Sequence, residues 1–306
     1  MTCAATQDCP AWATCCDGSS ESCDGTRLPT GDSTNYDKGG NSQYVVSADG
    51  LTVTDVITGL VWQRDGSDTR AGCVTDSSNL TCTWSEAKAY CASLTLGGVS
   101  GWRLPAVMEL STIVEIPPAR PSIDRTAFPN TPADPFWTSS PDNGSSGSAW
   151  CVGFAKGGSV SSDDVGNYGV RCVRGSRCYP TRRFVPLDGG LVRDTLTNLV
   201  WQRQASTTSV NWSDAEAYCS SSGPGFRLPA LKELMSIVDL TVTSGPRINQ
   251  AAFPNTPPED FWTFSLSADI PGWEWAVMFS LGYSHEIAAY STYKAVASSA
   301  WARCVR

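Results

Sequence analysis

The stretch Trp84-Ser-Glu-Ala-Lys-Ala-Tyr-Cys91 recurs as Trp212-Ser-Asp-Ala-Glu-Ala-Tyr-Cys219. Trp84, Ala87, Cys91 and Leu94 fall on one face at helical spacing, with Glu86 and Lys88 elsewhere, so the stretch predicts a helix with an inward-facing cysteine. Thr83 or Ser85 is a suitable N-cap. Working outward, the repeat widens. Thr54-Asp55 through Gly59-Leu-Val-Trp-Gln-Arg64 matches Arg193-Asp194 through Asn198-Leu-Val-Trp-Gln-Arg203. Gly101-Trp-Arg-Leu-Pro105 matches Gly225-Phe-Arg-Leu-Pro229, and Ala127-Phe-Pro-Asn-Thr-Pro132 matches Ala252-Phe-Pro-Asn-Thr-Pro257. Phe136-Trp-Thr138 matches Phe261-Trp-Thr263, and both copies close on Arg-Cys-Val-Arg, at 171–174 and 303–306. Ordered identity of this density marks a tandem duplication. Two copies of one chain serve as each other's comparison: what both keep is scaffold, and what differs is free to specialise.

Within a copy, the β-branched run Leu51 to Trp62 around Thr58-Gly59 predicts a hairpin. Leu104-Pro105 is read as the opening of a second helix, with Val107, Leu110, Ile113 and Val114 as its apolar stripe and Pro117-Pro118 as its stop. A Pro/Asn-rich loop, strands at Phe136 and Ala149–Phe154, a Gly157-Gly158 turn and a last strand Val170–Arg174 follow. The expectation is an α+β fold in each copy, two helices packed on small antiparallel sheets. The boundaries are a Cys-rich segment 1–44, a first domain 45–176 and a second domain 184–306, with a hinge near 175–183. Four repeated tryptophan pairs, Trp62/Trp201, Trp84/Trp212, Trp137/Trp262 and Trp150/Trp275, are expected to anchor the cores.

Thirteen cysteines point to an oxidising compartment. Zinc is the competing use, but no Cys-x-x-Cys pair occurs and His285 is the one histidine. The first-helix and last-strand cysteines recur, which makes Cys91–Cys172 and Cys219–Cys304 the simplest staples, with Cys73–Cys82 as a local third in copy one. The pairing of Cys3, Cys9, Cys15, Cys16, Cys23, Cys151 and Cys178 stays open, and their odd number leaves at least one thiol. Net charge is −8, and no segment is basic: residues 1–44 carry two basic and six acidic side chains, 45–177 ten and thirteen, 178–306 ten and eleven. A nucleic-acid partner is therefore not expected. No apolar run reaches the roughly 18 residues of a membrane span. The opening Met1-Thr-Cys-Ala4 has neither the basic nor the apolar part of a secretory signal, and the expectation is an extracellular or cell-surface chain from which a signal has been removed.

The ordered series Thr-Gly-Leu-Val-Trp-Gln, Trp-Ser-Glu-Ala-Lys-Ala-Tyr-Cys, Trp-Arg-Leu-Pro, Phe-Pro-Asn-Thr-Pro, Phe-Trp-Thr-Ser and Val-Arg-Cys-Val-Arg resembles the C-terminal domain family of the Legionella collagen-like protein. The resemblance covers about residues 45–176 and 184–306 and implies a C-type-lectin-like fold, distantly related to formylglycine-generating enzymes and to receptors diversified by retroelements. It also implies an adhesin-like role. The sulfated glycans bound by the family's named member call for a basic patch, which neither copy has, and no Gly-X-Y stalk is present.

Catalytic and metal readings find little support in the residues. Calcium is conceivable through Asn130 and Asn255 in the Phe-Pro-Asn turns, with Asp142-Asn143 and Asp163-Asp164 in copy one, but these do not make the six or more oxygens that calcium takes. No cofactor is expected. His285, with Asp269 and Glu286 nearby, has no nucleophile motif beside it, and Cys304 is already assigned to a staple, so neither hydrolase nor formylglycine-generating chemistry is expected. Arg103 and Arg227 each precede a glutamate by six residues and are read as ties between loop and helix. The leading expectation is a non-catalytic surface module that binds a glycan or protein. Its ligand residues would be the aromatics of the divergent segments of copy two: Trp273, Tyr283, His285, Tyr290, Tyr293 and Trp301. The alternatives are an extracellular assembly module that self-associates and, behind it, a retroelement-diversified receptor.

Overall fold

The structure is a computed structural model. It describes residues 14–16, 43–65, 73, 75–76, 79–115, 121–142, 147–155, 159–163, 166–175, 178–180, 183–266, 273–288 and 299–306. The Cys-rich segment 1–44, apart from the strand β1 (Thr14–Cys16) and residues 43–44, and the Gly157-Gly158 turn lie outside the described residues. The chain divides into two compact units, one holding Ser33–Cys178 and the other Tyr179–Arg306.

The first unit opens with the strands β2 (Tyr44–Val46), β3 (Thr52–Asp55) and β4 (Val61–Gln63), followed by the short hairpin β5 (Thr75–Asp76) and β6 (Asn79–Leu80). Two helices, α1 (Trp84–Ser93) and α2 (Val107–Thr112), come next. The strands β7 (Pro135–Pro141), β8 (Ala149–Gly153), β9 (Ser159–Asp163) and β10 (Val173–Arg174) complete it. After β11 (Cys178–Pro180), the second unit repeats the order: β12 (Phe184–Leu187), β13 (Leu191–Asp194), β14 (Val200–Gln202), α3 (Trp212–Ser221), α4 (Leu231–Ser236), β15 (Asp260–Leu266), β16 (Trp273–Met278) and β17 (Tyr283–Ala288).

In the four sheets below the strand pairs are antiparallel; the sequential pairs are joined by short connections, and β10 returns to β4 from the far end of the unit. One sheet has the order β10-β4-β3-β2 and its counterpart β12-β13-β14; the other two are β7-β8-β9 and β15-β16-β17. In the first sheet, Val53, Trp62 and Val173 lie directly opposite one another, and all three are fully buried. Val192, Trp201 and Val305 form the same row in copy two. The hairpin turn is shaped by Asp55, whose Oδ1 accepts the Ile57 N–H at 3.0 Å and whose Oδ2 accepts the Thr58 hydroxyl at 2.7 Å. The next residue needs a left-handed backbone, which explains Gly59 (φ 67°) in one copy and Asn198 (φ 62°) in the other, the two residue types that tolerate it best.

Helix α1 starts at a capping box: the Glu86 N–H donates to Thr83 Oγ1 and the Thr83 N–H to Glu86 Oε2. Its buried face is Ala87, Tyr90 and Cys91. The disulfide Cys91–Cys172 ties this face to the closing segment across 81 residues, and Cys219–Cys304 does the same across 85. A third, Cys73–Cys82, spans the β5–β6 hairpin. Six of the eight repeated tryptophans are buried to within 1% exposure. Trp84 and Trp212 differ from the core expectation. They are half-buried, lying over the edge of the core with indole N–H groups bonded to the Thr138 and Thr263 carbonyls at 2.8 Å.

The second helix begins later than the sequence pattern suggests, at Val107 and Leu231 rather than Leu104-Pro105 and its counterpart. The cause is the glutamate at its third position. Glu109 accepts both guanidinium branches of Arg103 at 2.7 Å and the Ala106 N–H at 2.8 Å, holding residues 103–106 extended. Glu233, Arg227 and Ala230 repeat the arrangement. The glutamates are buried, while the arginines are about half exposed, so solvent screens the ion pair in part. Glu233→Ala is expected to cost about 1–2 kcal/mol, with Glu233→Gln recovering part of it by keeping the cap. Urea titration of the two variants, followed by tryptophan fluorescence, checks both values.

Candidate functional site

The repeated polar motifs are built into the scaffold. In Phe128-Pro-Asn-Thr131, Asn130 takes a left-handed backbone (φ 55°), and the Thr131 hydroxyl donates to the Phe128 carbonyl at 2.9 Å. That hydroxyl also accepts from Arg171, which is fully buried and donates to the Gln63 and Arg64 carbonyls, all at 2.7 Å. The guanidinium lies over the Phe128 ring, 4.8 Å from its centroid. In copy two, Arg303 bonds the Gln202 and Arg203 carbonyls and Thr256 Oγ1 and lies 4.9 Å over Phe253. Burial lowers the Arg303 guanidinium to about 9, a shift that the nearby Tyr218 partly opposes, so the side chain is charged at neutral pH. The Phe-Pro-Asn-Thr turn thus receives an internal cation. Among the described residues, no group of three or more His, Cys, Asp or Glu side chains is placed to hold a metal ion.

The copies part company at positions that the duplication leaves free. Register equates Trp275 with Trp150, hence Glu274 with Ala149 and Ala276 with Cys151. The closing segments bridge β15 and β7 at equivalent points, which sets Trp301 where copy one has Gly169. A side chain at Gly169 would meet the Phe136 ring at 2.9 Å, so the two copies differ there in shape as well as in sequence.

These observations describe one α+β unit made twice, with an invariant polar interior and a divergent surface. Residues 51–174 and again 190–306 match the family model described as the Lcl C-terminal domain. The chain belongs to that family. No curated protein matches the chain.

In the second Lcl C-terminal domain, the predicted ligand residues occupy separate places. Trp273 opens β16, half-buried, opposite Ala288. Position 283 pairs with Met278 and position 285 with Ala276. Trp273 therefore stands at one end of the β16–β17 ladder and Tyr283 at the other, about 17 Å away at the usual strand rise. The alternation of a strand also sets Trp273 out of phase with positions 283 and 285. Trp301 is half-buried and bridges Phe261 on β15, at the far side of the sheet from β17. Tyr290 and Tyr293 lie outside the described residues. The sheet does not bring these six positions into one constellation. Sequence reading missed one exposed apolar residue near the same end of the sheet: Leu266, 55% exposed, faces Glu274 across the ladder at the end of β15 and so stands out of phase with Trp273. The signal was present in the sequence as a single apolar residue before a polar loop, too common a pattern to single out.

Proposed function

We propose that the chain is a secreted or cell-surface, non-catalytic binding protein whose two domains have C-type-lectin-like folds and whose second copy presents the surface for a glycan or protein ligand. One observation carries the reading. The polar residues that both copies keep, such as the Arg103–Glu109 and Arg227–Glu233 pairs and the interior Arg171 and Arg303, are engaged within the scaffold, whereas apolar side chains at divergent positions reach solvent. Trp273 and, out of phase with it, Leu266 are the described apolar side chains at such positions in copy two, and a half-buried tryptophan at the end of a strand suits stacking against a sugar ring or anchoring a protein contact. The three disulfides among the described residues fit an oxidising, extracellular setting, and no helix among those residues is long and apolar enough to cross a membrane.

Screening the full chain on glycan and surface-protein arrays tests the proposal. Binding is expected, and Trp273→Ala is expected to weaken it about tenfold or more, as for a buried aromatic anchor. Either an absence of binding across the arrays or undiminished binding by the variant would refute the proposal.

A second reading, self-assembly, has its own observation. Val45 and Val56 are each 54% exposed and Val46 39%, on or beside β2, which ends its sheet among the described strands. Copy two has Pro186 where β2 has Val46, and proline blunts an edge strand. Light scattering over a concentration series separates the readings: assembly gives a mass that grows with concentration and falls back with Val46→Pro.

A further inference from the structure

Trp84 and Trp212 open the longer helix of each copy, and both copies keep them, but the side chains around them differ. Both rings are half-buried, and each indole N–H donates to a strand carbonyl, Thr138 or Thr263, at 2.8 Å. One turn further along α1, the exposed Lys88 places its ammonium over the Trp84 ring, 3.5 Å from the centroid. Residues four apart on a helix are neighbours, and the negative face of an indole attracts a cation. Copy two has Glu216 at the equivalent position, also exposed. Among the described residues, no cation lies over Trp212. A second exchange accompanies the first. Phe264 of β15 stands where β7 has Ser139, and the two backbone N–H groups bond the equivalent carbonyls of Pro229 and Pro105. Phe264 is half-buried and packs on the same core cluster as Trp212.

We infer that Trp212, Glu216 and Phe264 form a site on the second domain for a basic side chain of a partner protein, in the role that Lys88 fills within the first domain. The first domain shows what the repeated tryptophan accepts, an ammonium on its ring. In copy two the chain no longer supplies that cation and places a carboxylate beside the ring instead. Helix α3 carries Asp214 and Glu216 and no basic residue, whereas α1 carries Glu86 and Lys88, so the surroundings of Trp212 favour a cation from outside. Phe264 adds apolar surface for the methylenes that bear the charge, as long basic side chains require. The site builds on the reading of copy two as the binding domain and adds the charge of what it binds.

Ligand-observed nuclear magnetic resonance on the full chain tests this, because a single side chain binds with a Kd on the order of millimolar. The probe is acetyl-lysine methylamide. Its uncharged norleucine analogue and methyl glucoside are the comparisons. The lysine side-chain protons are expected to shift upfield under the indole ring, with little response from the other two compounds. Glu216→Lys, which gives copy two the internal cation of copy one, is expected to weaken the probe about tenfold or more. Asp188→Lys makes the same charge change at the exposed turn between β12 and β13 and is expected to stay within about twofold of wild type. Lys88→Glu with Ser139→Phe gives the first domain the side chains of the second and is expected to double the bound probe. Equal losses in Glu216→Lys and Asp188→Lys would overturn the site in favour of attraction by net charge. A response to norleucine or glucoside that Glu216→Lys removes equally would overturn recognition of charge in favour of apolar or sugar stacking. Unchanged probe binding in the Lys88→Glu, Ser139→Phe chain would show that these exchanges do not make the site. Silence of the wild-type chain toward the probe, with binding retained on the arrays, would overturn the site and leave the binding role standing.

Discussion

Replacing Arg303 by alanine is expected to destabilise the second domain by about 3–5 kcal/mol, a large part of the stability of an ordinary domain. Arg303 is fully buried, and its guanidinium reaches the Gln202 and Arg203 carbonyls and Thr256 Oγ1 while lying over the Phe253 and Phe261 rings. Alanine leaves those three acceptors without their donor inside the core, at about 1–3 kcal/mol for each group that water cannot reach. It also opens a void against two aromatic faces. Arg303→Lys is expected to recover little, because one ammonium cannot reproduce a planar fork that spans two carbonyls and a hydroxyl. Arg171→Ala should cost the first domain a similar amount, since its partners are the same kinds of atom. Urea unfolding followed by near-ultraviolet circular dichroism measures both. A loss below about 1 kcal/mol would mean that water or a side-chain shift satisfies the acceptors, and that the arginine is not the keystone of the turn.

The turn around that arginine shows where sequence reading succeeds and where it stops. Features set within a few residues were legible. The Thr83 cap, the hairpin about Gly59 and the six-residue tie from Arg103 to Glu109 all depend on local spacing. The same tie also displaces the start of α2, because a glutamate turned back on residues 103–106 competes with helix there. Periodicity alone does not register that competition. The closing segment was read as one strand, Val170–Arg174, but only Val173 and Arg174 join a ladder. Residues 171 and 172 instead meet Gln63, whose carbonyl accepts from Arg171 and whose side-chain Oε1 accepts the Cys172 N–H at 3.2 Å. That contact spans more than a hundred residues and leaves no local trace.

The ligand surface was the least legible part, for a related reason. Trp273, Tyr283 and Trp301 share a divergent stretch of sequence, but a strand reverses between the first two and the third lies beyond β15. Proximity in a sheet is decided by register and strand order, and a stretch of sequence rich in aromatics specifies neither. The duplication helped more with what is invariant. It separated interior from surface correctly for Trp62, Trp137, Trp150 and their partners, while Trp84 and Trp212 show that a kept tryptophan can serve the core through one edge and a carbonyl bond.

Removing the second staple with the pair Cys219→Ala and Cys304→Ala is expected to lower stability by about 4–5 kcal/mol, against about 3 kcal/mol for the pair Cys73→Ala and Cys82→Ala. The difference follows from loop length: the first bond closes a separation of 85 residues and the second a separation of 9. In the chain-entropy account, the long closure removes more freedom from the unfolded chain, and the folded state changes little. Both sulfurs of the long staple are fully buried, joining the α3 face to the closing segment beside Trp201, so their loss also removes a packed contact. The two contributions leave different marks. An effect on the unfolded chain lets it expand, and the denaturant dependence of unfolding steepens. A packing effect leaves that slope unchanged and alters the near-ultraviolet signal of the native tryptophans. The expected result for the long staple is a lower midpoint with a steeper slope and a native spectrum close to wild type. A midpoint shift with an unchanged slope would assign the stabilisation to core packing and refute the chain-entropy account for this bond.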